Sequence, residues 1–147
     1  MILNNIPSLN YFIPEVILCL GILLLLIISV FENAYKKSFI ILIVVSLLAL
    51  IPIFLTFDSY NILFLGNIVI DPYSNFFKII FIMTLIIIAI FTYYDRDVDK
   101  GDWPEYFSLL LIVTLGMFLM SSSINLLMVY LAIELVSIPS YMLAGFN

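Results

Sequence analysis

Long apolar runs separated by short polar segments make up the whole chain. A bilayer core about 30 Å thick requires about 20 mostly apolar residues for each helix that crosses it. Five runs satisfy this requirement, and their predicted bounds are residues 11–31, 38–57, 75–94, 104–120 and 124–146. The pattern therefore predicts an all-α membrane protein, with residues 1–147 forming a single domain of about five transmembrane helices.

The polar residues fall between these runs and carry the turn signals. Gly66-Asn67 and Asp71-Pro72 mark turns between the second and third helices, and Ser121-Ser122-Ser123 marks a tight turn between the last two. The most polar stretch, residues 95–105, is predicted to be a solvated loop. These short connections leave no room for a separate soluble domain.

The positions of lysine and arginine predict the orientation of the chain, because acidic residues contribute little to topology. Lys36, Lys37, Arg96 and Lys100 fall on one side of the membrane, and Lys78 falls near the other side. The first side is therefore predicted to be the cytoplasm or the mitochondrial matrix. An N-terminus outside and a C-terminus inside agree with an odd number of crossings.

Composition strengthens the membrane assignment and excludes several functions. Hydrophobic residues form 65% of the chain and charged residues 10%, whereas soluble domains have about 25% charged residues. A net charge of -5 with scattered basic residues argues against nucleic-acid binding. One cysteine and no histidine argue against a disulfide framework, a cysteine-ligated iron–sulfur cluster or a histidine-ligated metal. We therefore expect no cofactor and no metal site in this chain.

Glu134 is the main candidate for chemistry. It lies near the middle of the fifth predicted helix, where an ionised carboxylate costs about 3 kcal/mol on insertion scales. Such a group must face protein or water, pair with a cation, or take up a proton. Proton or ion transport is one interpretation. The alternative is a structural pair with a lysine of a partner helix that only assists assembly.

Neighbouring residues on the same helix predict a polar face around this carboxylate. Tyr130, Ser137 and Tyr141 are spaced at i−4, i+3 and i+7 from Glu134 and so share its side of the helix. Pro139 lacks an N–H group and is predicted to kink the helix and release the carbonyl of Leu135. A freed carbonyl and three hydroxyls beside one carboxylate would suit a proton station.

Two other charged residues fall inside predicted helices. Glu15 follows Pro14 near the start of the first helix, where a carboxylate favours the helix N-terminus. It is predicted to be an interface or capping carboxylate. Lys78 lies near the outer end of the third helix and is predicted to extend its ammonium group to the membrane surface.

The last two predicted helices contain a recognisable pattern. It comprises Leu109-Leu110-Leu111, Gly116-Met117, Asn125-Leu126 and Tyr130-Leu131-x-x-Glu134-Leu135-x-Ser137-x-Pro139-x-Tyr141, with Pro14-Glu15, Asp71 and Phe76-Phe77 as weaker matches. This pattern resembles the antiporter-like subunits of respiratory complex I, most closely the subunit 2 (NuoN) type of NADH dehydrogenase. The resemblance covers most of the chain and is specific in its last forty or so residues.

The resemblance implies that Glu134 is the proton-pathway glutamate of a proton-pumping NADH:ubiquinone oxidoreductase, with pathway lysines on later helices. It implies that FMN and iron–sulfur clusters are held by other subunits. Because the family has many more helices, we expect a separate polypeptide to supply the later ones. The expected location is the mitochondrial inner membrane, with a bacterial plasma membrane as the alternative. A structural subunit, or a subunit of a related cation/proton antiporter or membrane-bound hydrogenase, is the alternative function.

Overall fold

The computed structural model describes residues 5–30, 35–94 and 102–146. These residues form six α-helices and one small β-hairpin. The helices are α1 Asn5–Tyr11, α2 Ile13–Ser29, α3 Tyr35–Leu55, α4 Pro72–Tyr94, α5 Trp103–Ser122 and α6 Leu126–Ala144. The strands β1 Asn61–Leu63 and β2 Ile68–Ile70 are antiparallel and are joined by a 3-10 turn at Phe64–Gly66.

The predicted membrane helices are confirmed. By length and composition, α3 (from Lys36), α4, α5 and α6 are long and apolar enough to cross a membrane. The helix α2 has 17 residues, which is close to the lower limit for a bilayer crossing. The short helix α1 precedes it, separated by Phe12. The chain is therefore an all-α membrane protein with about five membrane helices.

Helix α5 occupies the centre of the bundle and packs against α2, α3, α4 and α6. Its buried side chains Phe107, Leu111 and Phe118 belong to the main apolar core, which α2, α3 and α4 complete. The hairpin packs at the end where α2, α4 and α6 begin. This end is called the hairpin end below.

The β-hairpin was not predicted, since only turns were expected between α3 and α4. Its turn requires left-handed backbone at Phe64, Leu65 and Gly66, where φ is 50°, 58° and 101°. Leu63, Ile68 and Ile70 are buried in a second apolar cluster, against which Tyr11 and Phe12 pack. The short β-branched run Ile68-Val69-Ile70 directly after the turn signal Gly66-Asn67 was the available signal.

Side-chain caps fix where two of the helices begin. The Asp71 carboxylate accepts a hydrogen bond from the backbone N–H of Ser74 (2.7 Å), and the Ser74 hydroxyl accepts one from the N–H of Asp71 (3.2 Å). The Asn125 side chain accepts from the N–H of Leu127 at 3.1 Å. The predicted serine turn begins later than expected, because α5 continues to Ser122 and the backbone becomes extended at Ser123.

Aromatic residues gather at the other end of the bundle. The Tyr93 and Trp103 rings lie 5.7 Å apart, as do the rings of Trp103 and Phe107. Tyrosine and tryptophan are enriched at membrane–water interfaces, so this end of the bundle is typical of one. Arg96 and Lys100, which contributed to the predicted orientation, lie outside the described residues, and that orientation stays a prediction.

Glycine allows α5 and α6 to pack closely, and this contact leads to a testable prediction. A Cβ atom at Gly116 would lie 2.7 Å from Val136 Cγ2 and 3.1 Å from the Val136 backbone nitrogen. Gly116→Ala is therefore expected to destabilise the protein by about 1–3 kcal/mol, as overpacked cores do, and to lower its thermal midpoint in detergent. Gly145→Ala is the control, because its Cβ would meet nothing closer than 3.8 Å. Equal midpoints for the two variants would contradict the close packing.

Candidate functional site

Glu134 lies on the side of α6 that faces away from α5. Helix α6 contacts α5 through Ala132, Val136 and Pro139, and Ala132 and Pro139 are buried. At 100° per residue, Glu134 is on the opposite side of the helix. Its side chain is exposed at the surface of the described chain. It is about 12 Å from the start of α6 at ~1.5 Å per residue, which is within the membrane-crossing length.

The predicted polar face around Glu134 is present only in part. The Tyr130 hydroxyl lies near the Glu134 carboxylate and interacts with it electrostatically. The Ser137 hydroxyl donates to the backbone carbonyl of Ile133 at 2.7 Å, one turn back on its own helix. Tyr141 shares the face of Glu134 and is 74% exposed. Tyr130 is therefore the residue of this face that interacts with the carboxylate.

Pro139 lies inside a helix that continues on both sides of it. Helix α6 extends from Leu126 to Ala144, and Pro139 is buried against α5. The Ser140 hydroxyl donates to the carbonyl of Ser137 at 2.8 Å. The kink and the release of the Leu135 carbonyl stay predictions.

The surface around Glu134 is apolar and uncovered by the rest of the described chain. Ile133, Ile138 and Met142 are large exposed side chains on this part of α6. A shallow groove of about 670 Å³ lies beside the start of the helix, lined by Asn125, Leu126, Leu127, Val129, Tyr130 and Ile133. An apolar surface with a carboxylate inside it is typical of a helix face that packs against other helices.

The structure also places an ion pair inside the bundle, which the sequence interpretation missed. Lys78 Nζ on α4 lies 2.6 Å from Glu15 Oε1 on α2. Lys78 is 0% exposed and Glu15 is 1% exposed. The prediction that Lys78 reaches the membrane surface is wrong, and so is the prediction of Glu15 as an interface or capping carboxylate. Inside the protein, the two opposite charges compensate each other.

The surroundings of this pair are apolar. Lys78 Nζ lies 5.6 Å from the centroid of the Phe118 ring on α5, a cation–π distance. Leu18 on α2 and Ile82 on α4, each about one turn further along its helix, are fully buried in the main core. Glu15 Oε2 is buried and has no hydrogen-bond partner among the described residues.

A sequence signal for the pair existed. Glu15 and Lys78 each lie about one turn from the start of a predicted membrane helix, and both helices begin on the same side of the membrane. A lone acid and a lone base at similar depth in two otherwise apolar helices satisfy each other if the helices are neighbours. The sequence alone did not reveal that α5 brings α2 and α4 together.

The fold and these groups define the class of the protein: a helical membrane protein with ionisable residues inside its membrane-crossing segments. Comparison with known proteins gives the family. The chain is 37% identical to NADH-quinone oxidoreductase subunit N 2 of Sorangium cellulosum, over 99% of the chain and 31% of that relative. It is 33% identical to subunit N of Anaeromyxobacter sp., over 98% of the chain and 29% of the relative. The chain belongs to the subunit N family of NADH-quinone oxidoreductase and corresponds to an N-terminal portion of it.

The family also includes a protein named for a different electron donor. The chain is 31% identical to F(420)H(2) dehydrogenase subunit N of Methanosarcina mazei, over 93% of the chain and 30% of the relative. No protein-family model matches the chain. The chain spans about three tenths of the length of the curated relatives it matches.

Proposed function

We propose that this chain is part of a membrane subunit of a proton-translocating NADH:quinone oxidoreductase and that Glu134 carries protons in it. The observation that supports this function most directly is the position of Glu134. It is a carboxylate at membrane depth, on the face of α6 turned away from α5, with the Tyr130 hydroxyl nearby.

The uncovered face of α6 supports the proposal that further helices pack on it and provide the partner of Glu134. An ionised carboxylate exposed to hydrocarbon costs about 3 kcal/mol, and a cationic side chain or a proton would remove much of that cost. The named relatives are about three times as long as the part that matches, so they contain residues enough for such helices. We propose that the equivalent helices cover this face and present a lysine to Glu134. Their location on a separate polypeptide stays a prediction.

The proposed chemistry at Glu134 is reversible proton binding. When the carboxylate is ionised, it interacts with the nearby Tyr130 hydroxyl and attracts the partner cation. When the cation moves away, the carboxylate takes up a proton, because its charge is no longer compensated in a medium of low polarity. Alternation between these two states would move one proton for each cycle.

The electron-transfer reaction belongs to other subunits in this proposal. We propose that FMN and iron–sulfur clusters on those subunits oxidise NADH and reduce a quinone such as ubiquinone. The relative from Methanosarcina mazei is named for F(420)H(2), which makes a different donor the second candidate. The relatives are mostly bacterial, so a bacterial plasma membrane is the favoured location, and the mitochondrial inner membrane stays a prediction.

The test of this assignment is the composition and activity of the native complex. The complex is isolated from membranes through a tag on this chain, and its subunits are identified by mass spectrometry of the intact assembly. Expected are flavin and iron–sulfur subunits, NADH-dependent quinone reduction and proton uptake into sealed vesicles. If the complex oxidises an electron donor other than NADH, only the proposed donor is wrong and the rest of the assignment stands. A hydrogenase, an antiporter without redox subunits, or a homo-oligomer of this chain would overturn the assignment.

A further inference from the structure

The buried pair of Glu15 and Lys78 has no role in the function proposed above. Glu134 lies on the far side of α6 from α5, whereas the pair lies where α5 meets α2 and α4. The two groups are at comparable depth. At ~1.5 Å per residue, Lys78 is about 9 Å from the start of α4 and Glu134 about 12 Å from the start of α6. Both helices start at the hairpin end.

A purely structural role accounts poorly for this pair. Removing two charges from water costs more than their attraction returns unless the geometry is excellent and the remaining polar atoms are satisfied, so apolar replacements are often neutral or stabilising. One polar atom here is not satisfied, because Glu15 Oε2 has no hydrogen-bond partner among the described residues. Two apolar side chains at these positions would pack at least as well as the ion pair.

The geometry allows the pair to bind a proton without coming apart. Lys78 donates its hydrogen bond to Oε1, which leaves Oε2 as the open position on the carboxylate. A proton that binds Oε2 forms one O–H bond, breaks no bond within the pair, and changes its net charge from zero to +1. The Phe118 ring beside the ammonium group favours the extra positive charge.

Few other ionisable groups compete for that proton. Cys19, one turn further along α2, is close enough to interact electrostatically with Glu15. Lys78 is the facing charge on α4. The parts of α5 nearest the pair present Phe118, Thr114 and Ser122, and the last two hydroxyls donate to backbone carbonyls of their own helix.

We propose that Glu15, held by Lys78, is a second proton-binding site of the same translocation route, on the opposite side of α5 from Glu134. The proposal rests on the proposed function, since it assumes that the assembled complex translocates protons. The hairpin cluster of Leu63, Ile68 and Ile70, with Phe12 packed on it, closes the end of the bundle above the pair. Protons would therefore reach Glu15 only when this end opens or when water enters.

The experiment measures protons taken up per electron by the native complex in sealed vesicles. The apolar double variant Glu15→Leu/Lys78→Met removes both charges together, and the exchanged variant Glu15→Lys/Lys78→Glu keeps a titratable carboxylate in the pair. Lys37→Met, at an exposed lysine, is the control. The apolar variant is expected to fall to the proton-to-electron ratio of Glu134→Gln, and the exchanged variant to recover at least half of the wild-type ratio.

The outcomes separate this inference from the proposed function. If Glu134→Gln lowers the ratio and the apolar variant keeps the wild-type ratio, the pair is structural and the inference is wrong. If Glu134→Gln keeps the wild-type ratio, the proposed role of Glu134 is wrong.

A second measurement applies even where the apolar variant fails to assemble. Infrared difference spectra of the wild-type complex during turnover are expected to contain a protonated-carboxyl band. The exchanged variant Glu15→Lys/Lys78→Glu, which keeps both charges, should contain this band at a shifted position, because its carboxylate projects from α4. Identical bands in wild type and in the exchanged variant would overturn the inference.

Discussion

Glutamine in place of Glu134 is expected to lower proton translocation by the assembled complex about tenfold or more, as removal of a positioned proton-transfer group does. Glutamine has nearly the same shape and keeps a polar oxygen near the Tyr130 hydroxyl. It cannot bind and release a proton at membrane depth. The amount of complex in the membrane should stay close to wild type, and NADH-driven proton uptake into sealed vesicles measures the loss.

Two variants serve as controls for this result. Glu105→Gln changes the same residue type at an exposed position in the first turn of α5 and should leave proton uptake unchanged. Tyr130→Phe removes only the hydroxyl near Glu134, and because the carboxylate remains, we expect a smaller loss, on the order of fivefold, which corresponds to a polar interaction of about 1 kcal/mol. Normal pumping by Glu134→Gln with reduced assembly would instead support the structural interpretation of this residue.

Methionine in place of Lys78 is expected to remove most of the protein from the membrane. Loss of one partner of a buried ion pair costs about 3–5 kcal/mol, which is a large part of the 5–15 kcal/mol that stabilises a typical domain. The cost arises because Glu15, 1% exposed, would keep an uncompensated charge between α2 and α5. The quantity of tagged chain in washed membranes and its thermal midpoint in detergent measure the effect.

The apolar double variant separates lost charge balance from lost packing. Glu15→Leu/Lys78→Met leaves no unpaired charge and is expected to recover most of the stability that Lys78→Met loses. Lys37→Met, which changes an exposed lysine, should have wild-type levels. If Lys78→Met itself accumulates normally, Glu15 is neutral in the folded protein or reaches water, and the buried ion pair described here would be wrong.

The resemblance found on the motif from Tyr130 to Tyr141 led to the correct family. The prediction of a polar face from helical spacing was less accurate, because a shared helix face does not decide hydrogen-bond partners. Ser137 has the spacing for contact with Glu134, yet its hydroxyl donates to the carbonyl of Ile133 on its own helix. Hydroxyls in apolar helices have this local acceptor always within reach, so periodicity alone overestimates polar clusters.

The membrane helices could be predicted from the sequence, because a run of about 20 apolar residues has one favourable environment whatever it packs against. The depth of Glu134 followed from its place in such a run. The three-dimensional arrangement was needed to show that α5 is central, that Glu134 faces away from it, and that Glu15 and Lys78 meet beside it. These features depend on which helices are neighbours and how each is rotated, and nearly uniform apolar surfaces contain little information about either.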